Sequence, residues 1–594
     1  MSFAGSPLFR RRLVWITFVL GLAIVAGLVV YRFARPSPSA EIPEKASPGD
    51  GRPGVDEYSG PPWFRDVTAE TGVQFTYRNG EEADQYAILE SLGGGVGLFD
   101  YDGDGLLDIF LTGGGTFEGP AKEQLAGRPC RLFRNLGRWK FEDATEAAGL
   151  RGPWWYTHGV AIADYDRDGW PDLFITGYGR QALYHNETDG KGRRRFVDVT
   201  EKLGLRDAVW TTGAGWADLD GDGFPELYVC RYADWSFANN PLCTGQRPDV
   251  PRDVCPTSRF QPLVHALYKN RNGVRFINTA GEHGFTPGYG LGVVFVDVDG
   301  DGRPDLYVGN DMTRNFLYLN RGSKLVESGI KAGVALPDSG KPTASMGIDA
   351  ADYDGSGRPS IFISNFQSEL PSLFRNVGQG TFVYQSWAAG LAALDRNHVG
   401  WGTGFLDADN DGWPDLVVAN GHVFRHPPGT TVKQRPMFLL NVDLKGQRAF
   451  REGGGRGGAY FHTPTVGRGL AIGDLDNDGW PDVVVSHTNS PVAILRNEAA
   501  AANDHRWIGF KLTGQQNRDI VGSTVTVETE KGQSTQFVKG GGSYLSARDP
   551  RLLFGLGPEQ RVRRVTVRWS WGETQTWPNP AIGRYHELRE GEPL

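Results

Sequence analysis

The sequence predicts an all-β fold: a seven-bladed β-propeller over residues 62–500, a small β-sandwich-like domain over residues 503–594, and one N-terminal transmembrane helix. Three observations predict it. A nine-residue acidic phrase, Asp-x-Asp-x-Asp-Gly-x-x-Asp, recurs seven times at intervals of 54 to 79 residues. Each interval has room for one four-stranded blade, which takes about 40–60 residues with its turns. Glycine is abundant (82 of 594 residues) and aromatic residues make up 12 %, a balance that suits many short strands joined by tight turns. The two ends of the repeat region also carry complementary halves of one hairpin.

Residues 1–12 read as a cytoplasmic tail, 13–31 as a transmembrane anchor and 32–61 as a flexible linker. Arg10, Arg11 and Arg12 precede an uncharged apolar run of about the 20 residues needed to cross a bilayer. The positive-inside rule keeps those arginines cytoplasmic. The bulk of the chain is then expected in the periplasm or outside the cell. A cleaved signal peptide is the alternative, but its apolar core is usually about 7–15 residues long and ends at a small-x-small site. Here Tyr31-Arg32-Phe33 follows. The linker is rich in Pro, Ser, Glu and Gly, too polar to pack a core. Cys243 and Cys255 lie in an insertion without strand patterning, and in an oxidising compartment they are expected to form a disulfide. Whether Cys130 and Cys230 pair is left open.

The seven loops are numbered I to VII. Loop I holds Asp100, Asp102, Asp104 and Asp108; loop II holds Asp164, Asp166, Asp168 and Asp172. Loop III holds Asp218, Asp220, Asp222 and Glu226; loop IV holds Asp297, Asp299, Asp301 and Asp305. Loop VI holds Asp407, Asp409, Asp411 and Asp415; loop VII holds Asp474, Asp476, Asp478 and Asp482. Loop V keeps only Asp352 and Asp354, because Ser356 and Ser360 stand at its later positions. An apolar, Gly-containing stretch precedes each loop and a β-rich run such as Leu173-Phe174-Ile175 follows it. Each loop therefore joins two strands, apolar throughout as strands buried between neighbouring blades are.

A second phrase is a hairpin, in which Leu132-Phe133-Arg134-Asn135 is followed by Phe141-Glu142-Asp143, and Leu183-Tyr184-His185-Asn186 by Phe196-Val197-Asp198. Residues 64–68 are a second half with no first, and Ile494-Leu495-Arg496-Asn497 a first half with no second. Pairing them closes a ring and leaves no open sheet edge; an open solenoid is the alternative.

The loop chemistry points to calcium. Calcium takes six to eight oxygen ligands, and alternate short Asp side chains in a tight turn converge on one point. Glycine at the sixth position allows the turn that a Cβ obstructs. Four carboxylates this close repel one another unless a cation lies among them. The closing acid is the ninth residue and the flanks are strands, so the EF-hand, which closes with Glu at position twelve between helices, is rejected. About six calcium ions are expected, with loop V weak or empty. A formal net charge of −8, concentrated in these clusters, argues for cations as partners and against a nucleic-acid surface.

On these loops, flanks and copy number, residues 62–500 resemble the FG-GAP/VCBS repeat proteins, whose propellers include the integrin α-subunit head. Residues 503–594 resemble an ASPIC/UnbV domain through Asn517-Arg518-Asp519-Ile520-Val521-Gly522, Gly541-Gly542-Ser543-Tyr544-Leu545-Ser546 and Asp549-Pro550-Arg551-Leu552-Leu553-Phe554-Gly555. Together the two parts resemble a protein of the cartilage-acidic-protein type. The resemblance implies export, calcium between blade strands, and no established reaction.

No nucleophile elbow, His-Glu-x-x-His or phosphate loop is present. His158, His422 and His487 lie near blade strands, and His422 is placed where it could line the central mouth. Each reads as a ligand or acid–base group, or as a hydrogen-bonded loop histidine. Trp170, Trp413 and Trp480, at the seventh loop position, form an aromatic platform or pack against the next blade. Asn186-Glu187-Thr188 is a glycosylation acceptor by pattern. The expected function is a membrane-anchored adhesion, scaffold or protein-binding module. A carbohydrate-binding protein using the loop aromatics is the alternative, and an enzyme using the channel is a third reading.

Overall fold

The apolar runs on either side of each Asp loop form the first two strands of seven antiparallel sheets, six of four strands and one, sheet IV, extended to five by Gly540–Gly541, in the computed structural model, which describes residues 58–322 and 324–593. Sheet I contains Val96–Phe99, Asp108–Leu111, Arg131–Asn135 and Phe141–Asp143. Sheet II contains Tyr156–Ala163, Asp172–Tyr178, Ala182–Thr188 and Arg194–Asp198; sheet III contains Thr211–Ala217, Glu226–Arg231, Ala266–Asn270 and Phe276–Asn278. Sheet IV contains Gly290–Val296, Asp305–Asn310, Phe316–Asn320 and Leu325–Glu327; sheet V contains Ile348–Ala351, Ser360–Ile363, Ser372–Gly378 and Thr381–Tyr384. Sheet VI contains Gly400–Leu406, Asp415–Asn420, Met437–Leu444 and Gln447–Glu452. Sheet VII contains Gly467–Gly473, Asp482–His487, Ser490–Asn497 and, as its outer strand, Phe64–Asp66. Phe64 lies opposite Asn497, Arg65 opposite Arg496 and Asp66 opposite Leu495, so the two half-hairpins at the ends of the repeat region join. The solenoid alternative is thereby set aside. The tail, the anchor at 13–31 and the linker up to residue 57 lie outside the described residues, among which no helix is long and apolar enough to cross a membrane.

The first two strands of the sheets are buried almost throughout, whereas outer strands such as Phe141–Asp143 and Phe276–Asn278 bury one residue and expose two. That gradient explains the unbroken apolar runs beside the loops. Adjacent sheets are tied by one repeated hydrogen-bonding device. The Asn that ends each hairpin phrase donates to two carbonyls, one in its own loop and one in the loop of the preceding sheet. Asn186 bridges Pro171 and Tyr101, Asn270 bridges Pro225 and Tyr165, and Asn320 bridges Pro304 and Leu219. Asn376 bridges Pro359 and Val298, Asn441 bridges Pro414 and Tyr353, and Asn497 bridges Pro481 and Ala408. Asn135 completes the circuit, bridging Leu107 of its own loop and Leu475 of loop VII. These amides are buried, so Asn376→Ala leaves two carbonyls without a donor and is expected to cost about 2 kcal/mol in a denaturant melt.

The C-terminal residues form two further sheets, one of three strands (Leu552–Gly557, Arg506–Thr513, Tyr585–Arg589) and one of four (Gln533–Phe537, Thr524–Glu528, Arg564–Arg568, Thr574–Pro578). Val525, Val527, Val565, Val567, Phe510 and Phe554 are buried between them, and the valines alternate with more exposed residues along their strands, as strands with one buried face do.

The sandwich rests on the Asp-loop face of the ring. Trp571 donates from Nε1 to the Asp218 carbonyl at 2.9 Å, the Arg568 guanidinium lies 2.6 Å from Asp297 Oδ2, and Tyr585 donates to Asp474 Oδ2 at 2.8 Å. From it, residues 539–549 run down the axis of the ring. Gly541 pairs with Val294, Ser543 exchanges backbone hydrogen bonds with Ile348, and Ala547 does so with Val96 and Leu98. Val160 donates to the Leu545 carbonyl, Thr403 donates to Ser543 Oγ, and Ser543 Oγ donates to the Leu470 carbonyl. A Cβ at Gly540 would sit 1.9 Å from the Trp216 carbonyl oxygen. The segment thus meets the first strand of every sheet and fills the channel. Tyr544 is fully buried, its ring 4.8 Å from that of Trp401.

Insertions close the other end of the axis. Arg425 contacts Glu90 at 2.6 Å and Asp84 at 2.9 Å, and its backbone N–H donates to Asp253. Asp253 lies in the insertion that the Cys243–Cys255 disulfide staples. Cys130 and Cys230 are free and buried.

Candidate metal centres

Each Asp loop is shaped by its first and last acids. In loop I, Asp100 Oδ1 accepts the N–H groups of Gly103 and Asp104, and Oδ2 accepts that of Gly105. The closing Asp108 accepts the N–H of Tyr101 on one oxygen and that of Asn135 on the other. Asp172, Asp305, Asp415 and Asp482 repeat this pair of bonds, and Glu226 makes it with its longer arm. In loop V the Ser360 hydroxyl takes the place of the closing acid and accepts the Asn376 N–H at 3.1 Å.

The third position is different. Asp102 Oδ1, Asp166 Oδ1, Asp299 Oδ1 and Asp476 Oδ1 are buried oxygens with no hydrogen-bond donor. The other oxygen of each is engaged from outside. Arg134 Nε lies 2.6 Å from Asp102 Oδ2, Arg321 2.7 Å from Asp299 Oδ2, and Arg496 3.2 Å from Asp476 Oδ2. Trp139 Nε1 also donates to Asp476 Oδ2, and His185 Nδ1 lies 3.5 Å from Asp166 Oδ2. Lys269 pairs with Asp220 and Arg375 with Asp354. An outer cation therefore orients the carboxylate at position three while its inner oxygen stays bare. A buried anionic oxygen without a partner is costly, and a hard cation among the loop oxygens removes that cost. Burial first, and the neighbouring carboxylates with it, pushes Asp108 and Asp164 up to about 8 and Asp218 up to about 7. The residues of loops I, II, IV and VII thus fit a calcium ion. In loop V, Arg375 and two serines leave a smaller charge to neutralise.

Loop VI has Leu440, and loop IV Leu319, before the hairpin Asn where the other hairpins carry Arg, Lys or His; loop IV takes its cation from Arg321, on the far side of Asn320. A cavity of about 330 Å³ opens beside loop VI, its lining including Asp409, Asp411, Asp415, Leu440, Arg451 and Arg456.

Three sequence expectations are corrected. Asn186 is fully buried and both its amide donor bonds are internal, so it is no glycan acceptor in the folded chain. Trp170 and Trp413 lie under Arg194 and Arg448, each 3.9 Å from the ring, and face the position-four glycines of the preceding sheets, Gly103 and Gly355, rather than the next blade. Trp480 is buried. The aromatic platform is therefore covered. His422 does not line a mouth: it accepts the Phe424 N–H on Nδ1, sits 3.0 Å from Gln367 on Nε2, and is pushed down to about 4 by burial. His158 and His487 are likewise buried, against Trp210 and Tyr460. The hairpin cations went unassigned in the sequence, although in hairpins I, II, III, V and VII their signal, the residue before the hairpin Asn, stands in the repeated phrase.

Residues 513–593 match the ASPIC and UnbV family model, and residues 100–175, 164–229 and 297–363 match the FG-GAP-like repeat. Mouse cartilage acidic protein 1 is 25 % identical over 495 residues, 70 % of this chain and 71 % of that protein. The human protein is 25 % identical over 512 residues, covering 73 % and 71 %. Chinese hamster integrin alpha-3 is 29 % identical over 153 residues, 24 % of this chain and 14 % of that protein. Among solved structures, YCF48 bound to D1 peptide aligns with TM-score 0.36 and 8 % identity over 68 % of this chain and 91 % of the other. An Agrocybe aegerita lectin recognising non-reducing terminal N-acetylglucosamine aligns with TM-score 0.34 and 16 % identity, covering 62 % and 88 %.

Proposed function

We propose that this chain, a β-propeller of FG-GAP-like repeats with a C-terminal ASPIC and UnbV domain and homologous to cartilage acidic protein 1, is a calcium-stiffened seven-bladed protein-binding module held on the outer side of a membrane. The observation that carries the calcium reading is the set of bare, buried oxygens on Asp102, Asp166, Asp299 and Asp476, each on a carboxylate engaged from outside. Bound calcium supplies charge neutralisation and ties the two strands of a blade at their loop. The protein residues do the rest: the first and last acids hold the loop backbone, and the hairpin cation orients the acid at position three. The Arg10–Arg12 cluster before an apolar run supports anchoring, and the Cys243–Cys255 bridge supports an oxidising location.

Adhesion or scaffolding is favoured over catalysis because residues 539–549 fill the channel in which an enzyme of this shape would place its substrate. It is favoured over glycan binding because arginines cover the loop tryptophans. The test is metal content and partner class together. The full chain in detergent is expected to retain about six Ca²⁺ after dialysis, and Ser356→Asp with Ser360→Asp to raise the count by one. A count near zero would overturn the calcium reading. Binding to immobilised glycans that vanishes on chelation would overturn the protein-binding one.

A further inference from the structure

We propose that His185 makes loop II a second kind of metal centre, in which Asp166, Asp172 and His185 hold a borderline transition-metal ion of the Zn²⁺ class beside the calcium position. In loops I, III, IV, V and VII an Arg or Lys supplies positive charge against the outer oxygen of the acid at position three. In loop II that place belongs to an imidazole, which can be neutral and offer a lone pair instead. Nitrogen donors favour Zn²⁺ and its neighbours, whereas Ca²⁺ selects oxygen.

The geometry is that of a coordination shell. His185 Nδ1 lies 3.1 Å from Asp172 Oδ1 and 3.5 Å from Asp166 Oδ2. The donor atoms of the three residues all lie within 4.8 Å of one another. Ligands about 2.0–2.2 Å from one Zn²⁺ in a tetrahedral shell stand roughly 3.3–3.6 Å apart, so little movement is needed. Asp166 offers Oδ2 to this centre and keeps its bare Oδ1 for the calcium loop. Asp172 Oδ1 also accepts the Asn186 N–H at 2.8 Å, which fixes its orientation. The His185 side chain is 19 % exposed, enough for water to complete the shell and for the ion to enter. Tyr165 packs edge-on against the imidazole, and Arg194 is drawn away to Trp170, Thr188 and the Asn186 carbonyl. In loop VI the nearby histidine meets main chain instead: His505 Nδ1 lies 2.6 Å from the Asp409 carbonyl oxygen.

The centre shares Asp166 and Asp172 with the calcium loop but adds the His185 nitrogen, which the calcium reading does not use, so the two readings separate by experiment. The full chain is loaded with Ca²⁺ and titrated with Zn²⁺, and with Co²⁺ as a coloured substitute, beside H185A and H185R. H185R restores the cation of the sibling loops and guards against a folding defect. One Zn²⁺ per chain is expected, with Co²⁺ ligand-field bands, both lost or weakened more than about tenfold in H185A and H185R while the calcium count stays constant. Wild-type protein that takes up no Zn²⁺, or H185R that binds Zn²⁺ as wild type does, overturns the proposal. Zn²⁺ uptake without calcium overturns the calcium reading and leaves this one standing.

Discussion

Removing calcium from the full chain is expected to lower its melting temperature by roughly 20 °C or more. A ligand that binds only the folded state adds about 4 kcal/mol per site when its concentration is a thousand times its dissociation constant. Six such sites contribute far more than any single contact in the fold, and one kcal/mol moves the midpoint of even a 150–250-residue domain by about 2–4 °C. The size of the effect follows from where the acids sit. Asp108, Asp305 and Asp482 are buried at the mouth of the first two strands of their sheets, so an uncompensated loop strains the strands it joins. The Asn bridges between neighbouring loops then transmit the loss from sheet to sheet. Melts in excess Ca²⁺, in EDTA, and in EDTA with Mg²⁺ check this, because Mg²⁺ demands a tighter octahedral shell that these loops do not supply. Superimposable curves with and without chelator sink the calcium assignment and leave the loops held by hydrogen bonds alone. Loop V gives an internal control: charge changes at Asp354 should leave the calcium-dependent shift nearly intact.

The parts of this fold that were legible in the sequence are the parts that repeat. A nine-residue loop seen seven times, with apolar runs on both sides, specifies two strands and their connection. The unmatched halves at 64–68 and 494–497 specify closure, and Phe64 does lie opposite Asn497. Features that occur once were silent. Residues 539–549 show no strand pattern because their partners are backbone groups of seven different sheets, and no local pattern encodes a contact made mostly through main-chain atoms. Gly540 and Gly541 are glycines because the Trp216 and Val293 carbonyls stand where a Cβ would be. Asn186 misled for the opposite reason. Its Asn-x-Thr spacing is a surface signal by sequence, yet the repeat needs that amide at every sheet junction. The tryptophans at position seven were read as open or packed from residue type alone, and the arginines that cover them, Arg194 and Arg448, come from a strand that the loop phrase does not include.

Replacing Asp349 by Ala is expected to destabilise the chain by about 3–5 kcal/mol, the second-largest effect and the one that isolates the axial segment. Asp349 is 1 % exposed on the first strand of sheet V. Lys539, at one end of the axial segment, pairs with its Oδ1, and Arg548, at the other, lies 3.0 Å from Oδ2. One carboxylate thus holds both ends of the plug. Burial acts to raise the carboxyl pKa, but the two cations outweigh it and the net shift is downward. Its other bonds are to the backbone N–H groups of Phe405 and Ala350. Alanine leaves a buried ammonium and a half-buried guanidinium without a counter-charge, which is why the loss exceeds that of an ordinary surface ion pair, about 0–1 kcal/mol. Asp349→Asn keeps the shape and part of the hydrogen bonding but not the charge, and should lose nearly as much. Adding Lys539→Met to Asp349→Leu should recover part of the loss, since a buried pair replaced by apolar groups is often neutral or better. Urea unfolding measures the cost, and limited proteolysis with the melt followed at Trp401, whose ring packs on Tyr544, shows whether the plug loosens first. If Asp349→Ala unfolds with the wild-type midpoint, the axial segment is a passenger in the channel. If it shifts as expected and calcium content is unchanged, the C-terminal domain is part of what keeps the ring shut, and a truncation before residue 503 removes a structural element common to all seven sheets.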